Sequence, residues 1–315
     1  VSGLQHAFVL DGHGGGRALD WAGVAAWSPD DGVLWMNLDY SAADVETWIT
    51  ANLDDITRDA LLDVDPRPRA FVRGEDLLLI VRGINLNQGA APEDMISIRA
   101  CIGPQRVITL RKRASTSIAT IAADLARGHG PRDAAGVAAA LVEHVVEHVV
   151  TRVDTIGDTV ASCEDQVVTT ARGDLRATLA DLRRRAIALR RFLAPQRDAL
   201  AKLATIQLAW LGTDDRAHYA ESADRLARTL EELDAARDRA AVTHEELQSR
   251  IGEVTNQRLY LLSLITAIFL PLGFLCALLS VPYEHDAPQF WVLVAACAIG
   301  GVAQVAVFKR RGWWT

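Results

Sequence analysis

Two uncharged runs near the end of the chain constrain its fold more than any other feature. From Leu259 to Tyr283, between Arg258 and Glu284, there is no Asp, Glu, Lys, Arg or His. After the turn Glu284-His285-Asp286, a second such run extends from Ala287 to Phe308 and is closed by Lys309, Arg310 and Arg311. A helix rises about 1.5 Å per residue, and about 20 apolar residues cross the hydrocarbon core of a bilayer. Both runs are long enough to span, and the few residues between them allow only a tight hairpin. The basic cluster after the second run, together with Arg258 before the first, places both ends in the cytoplasm. The Glu-His-Asp turn then faces outward.

A hairpin of two helices encloses no hydrophilic path by itself, so conduction requires several copies around an axis. Otherwise the hairpin anchors a cytoplasmic enzyme, or holds a receptor or scaffold. The residues before it number enough for a packed domain of their own. The chain carries a net charge of −7. Segment 251–315 has Arg258, Lys309, Arg310 and Arg311 against Glu253, Glu284 and Asp286, which is +1 and leaves −8 for the rest. That balance disfavours nucleic acid and anionic lipid as partners of the cytoplasmic part and suits the attraction of cations. Cys101, Cys163, Cys276 and Cys297 are far apart and form no C-x-x-C pair, as expected in a reducing compartment. The first residues lack the basic-then-apolar pattern of a signal segment. A start at Val1 rather than Met predicts that a few residues precede it in the natural chain.

Residues 1–130 read as an α/β domain. Ala7–Leu10, Leu34–Leu38, Met95–Ala100 and Arg106–Leu110 are strand-like, and the unbroken apolar run Leu77–Val81 suits a strand buried on both faces. Ser41 stands where an N-cap belongs, before a helix over 42–53. The loop Gly12-His13-Gly14-Gly15-Gly16 resembles a phosphate cradle, but no helical period follows it and a hairpin loop is the favoured reading. From Pro131 the chain is helical: one helix over 135–168, a second over 174–204 that Pro195 should interrupt and kink, and a third from about Ala217. Gly212-Thr213-Asp214-Asp215 reads as the loop between the last two. The basic cluster Arg183, Arg184, Arg185, Arg190 and Arg191 reads as a solvated face paired with acidic neighbours.

The third helix meets no Pro or Gly before Gly252 and runs on into the first apolar span. Unbroken from Ala217 to Leu279, it would be about 95 Å long. Alternating steps of three and four residues collect Asn256, Leu259, Ser263, Thr266, Leu270, Gly273, Ala277 and Ser280 on one stripe. Small residues permit close helix packing in lipid, and hydroxyls suit a wet path. The same steps taken backwards reach Asp224, Glu231, Asp238 and Glu245, an acid at every seventh residue. A strict repeat of seven drifts about 20° per heptad on a straight helix, so the two stripes share a face only under left-handed supercoiling. Leu226, Leu233, Ala240, Leu247 and Val254 repeat every seven residues on another face, as a packing seam. In a ring of such helices the acids form stacked carboxylates around a cation path; the plain alternative is a solvated charged face. His144 and His148, four apart on one helical face, have a spacing that can hold a metal. No third ligand follows at metal-site spacing, so a polar helix face is preferred. No Ser/His/Asp arrangement, P-loop or nucleophile elbow is present, and an enzyme is not expected.

Five stretches, Val9-Leu10-Asp11-Gly12, Arg67-Pro68-Arg69, Val81-Arg82-Gly83-Ile84-Asn85, Leu193-Ala194-Pro195-Gln196-Arg197-Asp198 and Ile268-Phe269-Leu270-Pro271-Leu272-Gly273-Phe274-Leu275, resemble in order those of the CorA superfamily of divalent-cation transporters. The closer likeness is to its ZntB zinc-transporter branch, and it spans nearly the whole chain. The resemblance implies an α+β membrane protein and a homopentamer. Its parts would be a cytoplasmic α/β domain (1–130), a long-helix funnel or stalk (131–258), a pore-lining first transmembrane helix (259–281), an outer loop (282–288), a second transmembrane helix (289–308) and a basic cytoplasmic tail (309–315). It implies transport of Zn2+, with Mg2+, Co2+ or Ni2+ as other cargoes, across the inner membrane, with uptake driven by the proton gradient as in the ZntB branch and no resident cofactor. Partners would be copies of the chain itself, membrane lipid and divalent cations, without nucleic acid. The family ends its first membrane helix with Gly-x-Asn, whose amides ring the outer mouth. Here the position holds Ser280-Val281-Pro282, and proline offers neither an amide side chain nor a backbone donor. The Ser280 hydroxyl would replace part of that ring, with Glu284, His285 and Asp286 concentrating cations at the mouth and His285 titrating near neutral pH. A non-transporting receptor or scaffold that has lost the mouth is the competing expectation.

Overall fold

The structure is a computed structural model and describes residues 2–169, 174–279 and 288–310. The chain divides into two compact units, Val1–Glu245 and Glu246–Thr315. In the first, strands Leu4–Leu10 (β1), Gly16–Ala18 (β2), Leu34–Asp39 (β3), Arg69–Arg73 (β4), Asp76–Gly83 (β5), Ile96–Ile102 (β6) and Arg106–Arg111 (β7) make one mixed sheet. Its order is β2-β1-β3-β7-β6-β5-β4. Neighbours are antiparallel except β3 and β7, which run parallel from Leu34↔Arg106 to Asp39↔Arg111. The apolar run in β5 is buried on both faces, as expected of a strand lacking polar alternation.

One face packs Met36, Leu38, Leu78 and Leu110 against Val24 of helix Trp21–Ala26 (α1), Val45 and Ile49 of Ala43–Asn52 (α2) and Leu61 of Asp55–Leu62 (α3). Across β5, β6 and β7 on the opposite face lies Ala134–Thr169 (α5), which follows Thr116–Arg127 (α4). Helix Asp174–Leu203 (α6) packs on β4 and β5 at the sheet's edge. Burial of α5 follows from its composition. Among the described residues, Ala134–Val168 is a helix long enough to cross a membrane and holds an 18-residue window of mean hydropathy 1.3. Half of that window is nevertheless buried against the protein, which makes it a core helix of this unit.

The glycine loop joins β1 to β2 as a hairpin. Asp11 Oδ1 accepts the N–H groups of His13 (2.7 Å) and Gly15 (2.9 Å), which turns the chain tightly. Gly12 sits at φ 76°, where a side chain would be strained. The Gly130 N–H donates to the Gly14 carbonyl at 2.7 Å and fastens the loop to the α4–α5 connection.

Three local expectations are corrected. Ser41 does not cap α2: Asp39 Oδ1 takes both the hydroxyl (2.6 Å) and the N–H (3.0 Å) of Ser41, and Ala42 becomes the N-cap. Pro195 does not interrupt α6, which is helical throughout Asp174–Leu203. Its buried row of Leu189, Leu193, Gln196, Ala199 and Leu200 continues across the proline and outweighs the missing backbone bond. Thr213-Asp214-Asp215 is not loop but the first turn of helix Thr213–Leu279 (α7). Asp215 accepts the Gly212 N–H at 2.8 Å, and acids favour a helix N-terminus.

The second unit holds the rest of α7 and helix Pro288–Arg310 (α8). Large apolar side chains here are more than half exposed: Leu259, Leu262, Phe269 and Leu270 on α7, and Trp291, Val292, Ile299 and Val302 on α8.

Candidate functional site

Helix α7 has two contrasting sides between Asp224 and Val254. Leu226, Leu233, Ala240 and Leu247 of the seven-residue seam are at most 1 % exposed, whereas Val254, its last member, lies at 39 %. Polar contacts fix the helix at the edges of this seam. Arg239 forms two hydrogen bonds with the Glu164 carboxylate on α5, one of them at 2.9 Å from Nε. Arg190 on α6 pairs with Asp234 at 2.8 Å. The Arg239 bonds and its charge hold Glu164 below the usual carboxylate range.

Asp224, Glu231, Asp238 and Glu245 are all exposed, as are Arg228, Ala235, Val242, Ser249 and Gly252 between and after them. Asp238 is engaged by its neighbour Arg237 at 2.8 Å. Among the described residues, Asp224, Glu231 and Glu245 enter no ion pair, so three charges of the stripe remain for an external cation. In the second unit Asn256, Leu259, Ser263, Thr266, Leu270, Gly273 and Ala277 are exposed on the same helix. The Thr266 hydroxyl donates to the Leu262 carbonyl at 2.8 Å, which leaves its oxygen lone pairs as acceptors. Ser280, Val281, Pro282, Glu284, His285 and Asp286 lie outside the described residues.

His144 and His148 both stand on α5, but each has a local contact. His144 Nδ1 is 3.8 Å from Glu147, and His148 Nδ1 is 3.3 Å from the Ser117 hydroxyl. Burial lowers the His148 pKa and favours the neutral ring. No group of three potential metal ligands occurs among the described residues. Most of the basic cluster on α6 is paired: Arg184 and Arg185 with Asp181, Arg185 also with Glu93, Arg190 with Asp234 and Arg191 with Asp65.

A junction that the sequence did not reveal joins two of the stretches quoted for resemblance and the residues just before a third. Gln196 on α6 is fully buried, and its Oε1 accepts the N–H of Arg82 on β5 at 2.6 Å. The Arg82 guanidinium lies 4.6 Å from the Phe192 ring centroid. Its Nη2 reaches Asp65 Oδ1 (2.5 Å) and the Pro66 carbonyl (3.0 Å), just before Arg67-Pro68-Arg69. These groups pin α6 to the sheet and support α7 through the Arg190–Asp234 pair. The only sequence signal was that each stretch read as a fixed string.

A family model described as "CorA-like Mg2+ transporter protein" matches residues 30–310. The divalent cation transporter CmaX of Pseudomonas aeruginosa is 39 % identical over 328 residues, covering 99 % of this chain and 97 % of its own. The zinc transport protein ZntB of Yersinia pseudotuberculosis is 31 % identical over 321 residues, with 100 % and 97 % covered. The solved structure of full-length CmaX superposes with a TM-score of 0.86 at 36 % identity, covering 98 % of each chain.

Proposed function

This chain belongs to the CorA family of divalent-cation transporters, and we propose that it carries Zn2+ into the cell through the central pore of a homopentamer. The observation that carries the proposal is the pair of opposed stripes on α7. Leu226, Leu233, Ala240 and Leu247 of its seam are buried while Asp224, Glu231, Asp238 and Glu245 stand exposed at every seventh residue, three of them without an ion pair among the described residues. Around an axis such carboxylates stack as rings that lower the potential for a cation on the cytoplasmic side. In this reading residues 259–281 and 289–308 cross the inner membrane, with both termini in the cytoplasm. The exposed apolar side chains of α7 and α8 face lipid or neighbouring copies. Asn256, Ser263, Thr266, Gly273 and Ala277 line the path, and Ser280, Glu284, His285 and Asp286 form its outer mouth.

Zinc as cargo is supported by the ZntB likeness, and Mg2+ by the family description. Cation competition during uptake by the reconstituted chain tests the assignment. Zinc uptake is expected to resist an excess of Mg2+ and to yield to Co2+ or Ni2+; suppression by Mg2+ alone would replace zinc as the cargo. Replacing Glu284 by Gln and Asp286 by Asn is expected to lower uptake at limiting zinc. An unchanged concentration dependence would remove that turn from the path. A receptor or scaffold without transport is the second reading, favoured by Ser280-Val281-Pro282 standing where the family has Gly-x-Asn.

A further inference from the structure

A cavity of about 160 Å³ opens in the first unit, where β3 and β7 end. These two strands are parallel, and the crevice beyond the carboxyl ends of parallel strands is a common ligand seat in α/β sheets. Register brings the lining together. Arg82 on β5 faces Ser97 on β6, and Arg99, two residues on, faces Leu110 on β7. Leu110 in turn pairs with Leu38 on β3. Lys112 and Tyr40 follow those two leucines by two residues each, so Arg82, Arg99, Lys112 and Tyr40 fall on one side at one end of the sheet.

The lining is cationic in an acidic chain. Arg82, Arg99, Lys112 and Arg113 line it with Asp94 as the carboxylate of the lining and Asp65 pairing with Arg82 from outside it, whereas the whole chain carries −7. Two of the cations are buried, Arg82 at 8 % exposure and Arg99 at 1 %. Arg82 Nε is shielded from solvent and has no hydrogen-bond partner among the described residues. Arg99 Nη2 donates to the Tyr40 oxygen at 3.2 Å, which leaves the phenolic hydrogen to donate elsewhere. Burial depresses the Arg99 pKa, and the positive charge of Arg82 adds to the depression. Asp65 answers Arg82 from one side and the Asp63 charge favours the Arg99 cation, while the free Arg82 Nε and the two exposed cations at the rim still favour an anion in the cavity.

We propose that this cavity binds a small phosphate-class oxyanion, held by Arg82, Arg99, Lys112 and Arg113 and by the Tyr40 hydroxyl. Asp94, paired with Arg113 at the rim, is the internal counter-ion that the ligand displaces. The site involves no residue of the transport path, so its failure would leave the transport reading intact.

The test is calorimetric titration of inorganic phosphate into the full chain in detergent, at constant ionic strength with chloride as the replaced anion. Saturable binding is expected. Exposed Lys112 and Arg113 allow a K112Q/R113Q variant that keeps the fold, and it should bind about tenfold or more weakly. Asp94→Asn should bind more tightly, because it frees Arg113. A purely structural ion pair predicts instead that Asp94→Asn lowers the melting temperature with no gain in affinity, and that outcome overturns the proposal. Non-saturable heats, or equal affinity in all three proteins, overturn it as well.

Discussion

Gln196 is a buried side chain whose oxygen is the hydrogen-bond acceptor for the backbone of a strand on another element. Replacing it by Leu keeps the approximate bulk but leaves the buried Arg82 N–H without its partner. An unsatisfied buried donor costs about 1–3 kcal/mol, so Gln196→Leu should lower the melting temperature of the full chain. An unchanged melting temperature would mean that the Arg82 N–H finds another acceptor. Both residues stood in recognisable stretches of sequence, yet their meeting was not legible, because the bond spans 114 positions and no local period encodes it. Glu164 offers a second measurement at this scale. Arg239 holds its folded pKa below the ordinary 4.5. Its contribution to stability is therefore full above that pH and is lost as pH falls through the lowered folded value. The stability difference between wild type and Glu164→Gln should shrink on acidification through that window, as read by unfolding at a series of pH values. A difference that does not change with pH would contradict the assignment.

Among the elements, α7 makes the strongest distinction between sides. Leu233 is fully buried and Leu233→Ala should cost about 2–5 kcal/mol, while Glu231→Gln, two residues earlier and exposed, should leave the melting temperature nearly unchanged. If transport uses the acid stripe, Glu231→Gln combined with Glu245→Gln should reduce uptake at limiting cation without loss of stability. Thermal unfolding and uptake on the same preparations separate the two effects. The seam and the acid stripe were legible because each repeats every seven residues. The ends of elements were less so. Ser41 looked like a cap, but the nearer Asp39 oxygen captured it, and Pro195 looked like a break, but a buried row continued across it. In both cases a contact outside the local pattern decided the outcome.

For the whole molecule, the sheet was legible where burial on both faces produces an unbroken apolar run, as in β5, and where Gly103-Pro104 turns β6 into β7. Its parallel β3–β7 pair was not, because strand order depends on which edges meet rather than on sequence period. The cationic cavity escaped the sequence for the same reason: its arginines and lysine come from three strand regions and form no motif. Assembly is encoded less directly still, since an exposed acid stripe becomes a set of rings only when copies surround an axis. Native mass spectrometry of the detergent-solubilised chain should give a pentamer; a stable monomer or dimer would remove the central pore. The central claim, cation transport, is tested most directly by zinc influx into liposomes containing the purified chain, with a zinc-sensitive dye inside and pH gradients imposed in either direction. Influx clearly above that of empty vesicles is the predicted result, and influx equal to empty vesicles under both gradients would contradict it.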